Sequence, residues 1–132
     1  MNRISGARPS SGSLIYLDVA VIVGASKCRW VKALVDTGAT HTILKGEICD
    51  ELKLIRTQKS LPATGVTGSG IAGTVWVNLG LISTDSSESR REITQEIAVL
   101  DACTEELLLG MDVLKHFDLA IGRDGSFSLS WE

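Results

Sequence analysis

Residues 74–82 read Thr-Val-Trp-Val-Asn-Leu-Gly-Leu-Ile, with Val75, Val77, Leu79 and Leu81 alternating against Trp76, Asn78 and Gly80. A period of two marks a strand, because successive side chains of an extended backbone point to opposite faces. This strand leaves a stretch carrying Gly65, Gly68, Gly70 and Gly73. By spacing alone, Gly68-Ser69-Gly70-Ile71-Ala72-Gly73 matches the G-x-G-x-x-G of phosphate-cradling loops. Such a loop works because a helix leaves it and aims its N-terminus at the pyrophosphate. No helix follows here, so the nucleotide reading fails. With Val75 the match extends to the glycine loop of protein kinases, which is a hairpin. That loop needs a lysine on the next strand and the H-R-D and D-F-G motifs. The first lysine after Val75 is Lys115, and neither motif occurs. What remains is a β-hairpin with a glycine-rich tip, either a merely mobile surface ribbon or a backbone that approaches a ligand closely.

The rest of the chain has the same character. At 132 residues and 44% apolar composition it holds one domain with a real core. Residues 1–13 are polar and Ser/Gly-rich and are expected to form a flexible N-terminal tail, with the domain spanning 14–132. Strands are expected at 14–23, 30–35, 42–44, 93–100 and 107–109. A strand–tip–strand unit covers 61–82, and a closing hairpin at 119–121 and 127–131 turns on Asp124-Gly125. Ile48, Leu52 and Ile55 recur at helical spacing, which points to a short helix within 45–54, and 111–117 fits one or two helical turns. The fold class is therefore mostly β with two short helices.

Charge and cysteine usage narrow the partners. The net charge is −3 and no basic run exceeds Arg90-Arg91, which excludes nucleic acid. Cys28, Cys49 and Cys103 are odd in number and lack C-x-x-C spacing, so neither a disulfide framework nor a zinc site is expected. No metal or cofactor is implied. The apolar run 14–23 is interrupted by Asp18 and reads as a strand rather than a leader or membrane anchor. A cytoplasmic protein with reduced thiols is expected.

One acid stands in a special place. In "ALVDTGATHTIL", residues 33–44, an apolar strand delivers Asp36 into a tight turn and a second apolar stretch leaves it. Taken alone, that is compatible with an ordinary Asx turn. Combined with the glycine hairpin and with "LLLGMDVLKHFDLAIG", residues 107–122, it resembles the retropepsin-like aspartic proteases, closest in look to their retrotransposon, cellular and bacterial single-domain members. The resemblance covers residues 14–131. It implies an acid protease barrel with a β-hairpin flap, one lobe per chain. It also implies that Asp36 is the catalytic aspartate, that the Thr37 hydroxyl braces two active-site loops, and that the Gly38 carbonyl meets substrate backbone. Ala39 and Thr40 would line the substrate cleft, and Gly68, Ser69, Gly70 and Ile71 would reach it from the flap. Leu108-Leu109-Gly110 would pack beneath the catalytic turn. The sequence departs from the retroviral pattern where an acid pair and an arginine are usual, because Thr40, His41 and Met111 occupy those places.

Peptide hydrolysis by this route needs two carboxylates that share a proton. One takes a proton from water while the other donates to the carbonyl oxygen, and like charges about 3 Å apart do not both ionise. The chain has one Asp-Thr-Gly; Asp101, Asp118 and Asp124 lack that context, and Asp112 reads as a helix N-cap. An enzyme of this kind is therefore a homodimer, with Asp36 from each subunit acting on a peptide or protein substrate. The alternative is a catalytically silent retropepsin-like module that dimerises or binds peptides. Trp30, Trp76 and Trp131 are expected as core or interface anchors, Cys28 and Cys103 as small core fillers, and His41 and His116 as structural or surface groups. Phe127, Leu129 and Trp131 alternate with serines, and the resemblance implies that this last strand pairs with its copy in the partner.

Overall fold

The computed structural model describes residues 2–7, 14–65, 68–82, 90–123 and 126–132, with the backbone alone described for 6–7, 58–65 and 68–72. In chain order the elements are β1 (Asn2–Ala7), β2 (Tyr16–Gly24), β3 (Lys27–Val35), β4 (Ile43–Lys45), α1 (Gly46–Glu51), β5 (Arg56–Gly65), β6 (Gly68–Ile82), β7 (Arg90–Leu100), β8 (Leu107–Leu109), α2 (Met111–Leu114), β9 (Asp118–Ile121) and β10 (Ser126–Trp131). The molecule is mostly β with two short helices, as the patterning requires.

The long strand β6 closes the architecture. One edge pairs with β7 from Gly73 to Ile82; the other is shared between β5 and, around Asn78 to Gly80, β2. Because β2 also starts the order β2-β3-β8-β4-β7-β6, six strands form a closed barrel, and β5 extends β6 beyond it as a hairpin. Closure removes edges that would otherwise stay open. Val75, Val77, Leu79 and Leu81 point inward and join Val19, Val21, Val31, Ile97 and Leu107 in one core. Strands β4 and β8, and the ends of β3 and β7 that flank them, are covered on both faces. A second cluster of Leu34, Ala39, Ile43, Ala98, Cys103 and Leu108 packs on their outer side. Burial on both faces explains why Ala33-Leu34-Val35 and Leu107-Leu108-Leu109 are unbroken apolar runs, not alternating ones.

Several expectations are corrected. Residues 2–7 are not part of a loose tail but form β1, which pairs antiparallel with β10 and buries Ile4 opposite Leu129. A single large apolar residue among polar ones gave no periodic signal. Strand β10 was expected to pair across a subunit boundary, yet β1 fills one of its edges and β9 the other. A strand has only two hydrogen-bonding edges, so none is left for a partner. Its apolar face is buried as the alternation indicated, with Trp131 against Phe117 edge-to-face at 5.6 Å. Trp30 and Trp76 are 48% and 58% exposed and so are not core anchors. Cys28 lies on the solvent side of β3, whereas Cys49 and Cys103 are buried. The hairpin turns at 66–67 and 124–125 lie outside the described residues.

Candidate active site

The site is built where β3 ends. Val35 lies beside Leu109 in the parallel β3–β8 pairing, and the Asp36 amide donates to the Leu109 carbonyl at 3.0 Å. The chain then crosses the end of β8 and returns on its other side as β4, antiparallel to it. Residues 36–42 are that crossing. Two bonds tighten its first half: the Gly38 amide donates to Asp36 Oδ1 at 3.0 Å and the Ala39 amide to the Asp36 carbonyl at 3.2 Å. This is the Asx geometry open to an aspartate followed two residues later by glycine. Ala39 is fully buried and pins the turn to the outer cluster, while Thr37, Gly38 and Thr40 face solvent.

The Asp36 carboxylate is therefore asymmetric. Oδ1 is held by the turn, whereas Oδ2 is shielded from solvent and has no hydrogen-bond partner among the described residues. A buried unpaired carboxylate oxygen is costly. It is relieved by a donor from beyond the described residues.

Beneath the turn, β8 delivers Gly110. Its amide donates to Thr42 Oγ1 at 3.0 Å, and the next amide, of Met111, donates to the Ala39 carbonyl at 2.8 Å. A Cβ at position 110 would lie 2.6 Å from both the carbonyl carbon and oxygen of His41 and 3.0 Å from the Ala39 oxygen. Only glycine fits so close to backbone. The Gly110 motif was legible in the sequence, but its neighbour Asp112 was misread. Gly110, not Asp112, is the N-cap of α2, and the helix has no side-chain cap. The Asp112 carboxylate instead accepts the Thr42 amide at 2.9 and 3.1 Å, the Thr42 hydroxyl at 2.6 Å and Gln95 Nε2 at 3.1 Å. Gln95 comes from β7 and carried no signal in the sequence, because its partners lie far away along the chain.

The structure brings Asp36, Thr37, Gly38, Ala39 and Thr40 together in one turn. Gly68, Ser69, Gly70 and Ile71 lie on the separate β5–β6 hairpin, opposite Gly65, Thr64, Ala63 and Pro62, with their side chains outside the described residues. The hairpin's base bends where Thr57 and Ser60 face consecutive residues of β6. There the Thr57 hydroxyl meets that of buried Thr74, which also donates to Glu96 at 3.1 Å. Met111, whose backbone binds the turn, is 40% exposed, and His41 is half-buried. Among the described residues no group of three or more His, Cys, Asp or Glu side chains could hold a metal ion, and no helix is long and apolar enough to cross a membrane.

The family described as "gag-polyprotein putative aspartyl protease" matches residues 25–116, from the β2–β3 turn through α2. The chain belongs to this family. Its fold is that of the retropepsin-like aspartic proteases. The crystal structure of a retropepsin-like aspartic protease from Rickettsia conorii superposes with a TM-score of 0.65 at 24% identity, covering 98% of this chain and 91% of that one. The retroviral protease-like domain of Ddi1 from Leishmania major gives 0.56 at 16% identity, covering 92% and 96%. At these identities the two structures speak for the fold alone. No curated relative matches the chain by sequence.

Proposed function

We propose that this retropepsin-like domain is a homodimeric aspartic endopeptidase that hydrolyses peptide bonds through an Asp36 dyad, one carboxylate from each subunit. The carrying observation is the Asp36 carboxylate itself, anchored through Oδ1 with Oδ2 buried and, among the described residues, unpaired at the rim of a solvent-facing turn. A second Asp36 across a twofold axis, sharing one proton, supplies the donor that Oδ2 lacks. Within one chain no other acid sits in the turn, so the site is half a dyad.

In the dyad the ionised carboxylate takes a proton from a water held between the two aspartates. The oxygen of that water attacks the peptide carbonyl, and the protonated carboxylate donates to the carbonyl oxygen, giving a neutral gem-diol. Proton transfer to the leaving nitrogen then breaks the C–N bond and restores the shared proton. Exposed Thr37 braces one loop against its copy, the Gly38 carbonyl and Thr40 meet substrate backbone while Ala39, fully buried, holds the turn that presents them rather than lining the cleft as the sequence suggested, and the hairpin at Gly68, Ser69, Gly70 and Ile71 closes as a flap. Where retroviral enzymes place charged residues, Thr40 and Met111 offer uncharged surface, which favours apolar-flanked peptides. The three free thiols are consistent with a reducing, cytoplasmic setting.

The test is cleavage of a mixed peptide library by wild type and Asp36→Asn, with sedimentation of both. Wild type is expected to cut extended peptides with a bell-shaped pH profile on the acid side of neutral, and hydroxyl-bearing mimics of the attacked carbonyl should inhibit it. Asp36→Asn should lose about four orders of magnitude or more in kcat, as removal of an activating group from a catalytic unit does elsewhere. Equal cleavage by both proteins overturns the enzyme. A wild type that binds peptides and cleaves none establishes the silent module instead.

A further inference from the structure

The far end of the catalytic turn is held by a set of side chains that the chemistry above does not use. Thr42 closes residues 36–42, and it is fully buried. Its amide and hydroxyl both donate to Asp112, and its oxygen accepts the Gly110 amide. The second Asp112 oxygen receives Gln95 from β7. One carboxylate thereby joins three parts of the barrel: the turn that carries Asp36, the start of α2, and β7. Charge-assisted bonds of this kind are shorter and stronger than neutral ones, and the 2.6 Å hydroxyl bond is the shortest contact of the set.

We propose that Asp112 is a positioning residue for Asp36, acting through Thr42, with Gln95 fixing the orientation of its carboxylate. This rests on the endopeptidase reading of the same site. The physical reason is rigidity. A dyad works only when its two carboxylates sit within hydrogen-bond distance, and errors of about 1 Å in placement cost on the order of a hundredfold in rate. The first half of the turn is held by Asp36's own local bonds, which leave the loop free to pivot as a body. The long-range ties that stop that pivot are the backbone bonds Asp36–Leu109, Met111–Ala39 and Ala98–Thr42, the Gly110–Thr42 bond, and the Asp112–Thr42 bonds, which alone among them come from a carboxylate. Among the described residues Asp112 faces amide and hydroxyl donors, with no cation among its partners, so its role is geometric and does not depend on a salt bridge.

Three variants test this: Asp112→Ala, Asp112→Asn and Gln95→Leu. Asparagine keeps one oxygen for the Thr42 amide and hydroxyl, and its NH2 can donate to the Gln95 carbonyl once that amide turns over. It therefore preserves the ties without the charge. With peptide substrate, Asp112→Ala should lose about tenfold or more in kcat with KM within about twofold, and Asp112→Asn should recover to within about threefold of wild type. An Asp112→Ala enzyme that is folded and retains wild-type kcat overturns the proposal, as does an asparagine variant as impaired as alanine. If Asp112→Ala fails to fold, Gln95→Leu carries the comparison: kcat about threefold lower at unchanged KM supports it, and no change overturns it. If wild type cleaves nothing, the endopeptidase reading falls separately, and amide hydrogen exchange decides the positioning. The Gly38 and Ala39 amides, neither bonded to Asp112, should exchange about tenfold faster in Asp112→Ala and near the wild-type rate in Asp112→Asn. Unchanged protection overturns it.

Discussion

Gly110→Ala is the smallest change that tests how the site is assembled. The new methyl carbon would lie 2.6 Å from the His41 carbonyl carbon and oxygen and 3.0 Å from the Ala39 oxygen. These are backbone atoms, which cannot swing aside as a side-chain tip would. Reaching an ordinary contact of 3.4 Å requires a separation of roughly 0.8 Å between the end of β8 and the catalytic turn. Overpacking of a fitted interior costs about 1–3 kcal/mol. The same displacement stretches the Gly110–Thr42 and Met111–Ala39 bonds, now 3.0 and 2.8 Å, and weakening such buried bonds adds on the order of 1 kcal/mol. The expected loss is about 2–4 kcal/mol, or roughly 8–16 °C in Tm for a chain of this length. Urea titration with an unchanged slope, alongside a thermal melt, measures it. Because the displaced atoms include the turn that carries Asp36, peptide cleavage should fall further than the folded fraction does. A Gly110→Ala protein within about 0.5 kcal/mol of wild type would refute the close backbone approach on which the site's assembly is argued.

Three further outcomes follow from burial. An aromatic disulfide reagent should titrate Cys28 alone in the native protein and all three thiols after denaturation. Burial pushes the Cys49 and Cys103 thiols up from 9.0, so below that pH both folded and unfolded states keep their protons. As pH rises past 9 the unfolded state ionises first, so stability should decline on the alkaline side; a flat stability curve between pH 9 and 10 contradicts this. Trp131→Ala removes a side chain that is 8% exposed and stacked edge-on against Phe117. It should cost about 3–5 kcal/mol by urea titration, and a loss below 1 kcal/mol would mean that β10 is not a structural part of the core.

The barrel was legible wherever burial leaves a period. The strand at 74–82 alternates because its inward side chains fill the core and its outward ones do not. The doubly covered β8 and end of β3 read as unbroken apolar runs for the same reason. The segments that escaped were those whose structure comes from pairing rather than from patterning. Strand β1 buries Ile4, yet backbone bonds to β10 hold all six of its residues in register. Nothing in Asn-Arg-Ile-Ser-Gly-Ala announces a strand whose partner lies more than a hundred positions away. The exposure of Trp30 and Trp76 was equally hidden. Both sit on the outer face of a closed barrel, and sequence gives alternation without saying which tryptophan faces a neighbour.

The site divides along the same line. Asp36, Gly38 and Ala39 interact within three residues, so the turn could be read from Asp-Thr-Gly-Ala directly. Asp112, Thr42 and Gln95 meet across separations of 17 to 70 residues, and local rules gave Asp112 a local job. An acid at the head of a short helix reads as a cap because capping is the commonest use of an acid there. A glycine immediately before it changes that assignment, since Gly110 already occupies the cap position with its extended φ of −94° and ψ of −178°. An acid one position inside the helix has its carboxylate free for something else. In a fold where the preceding strand ends directly beneath a tight turn, the nearest unpaired donors are those of the turn. The pairing of Gly110 with Asp112 two residues later thus makes one physical unit: the glycine permits the approach and the aspartate ties what has approached. Replacing either should loosen the Asp36 turn, the first by forcing it away and the second by releasing it.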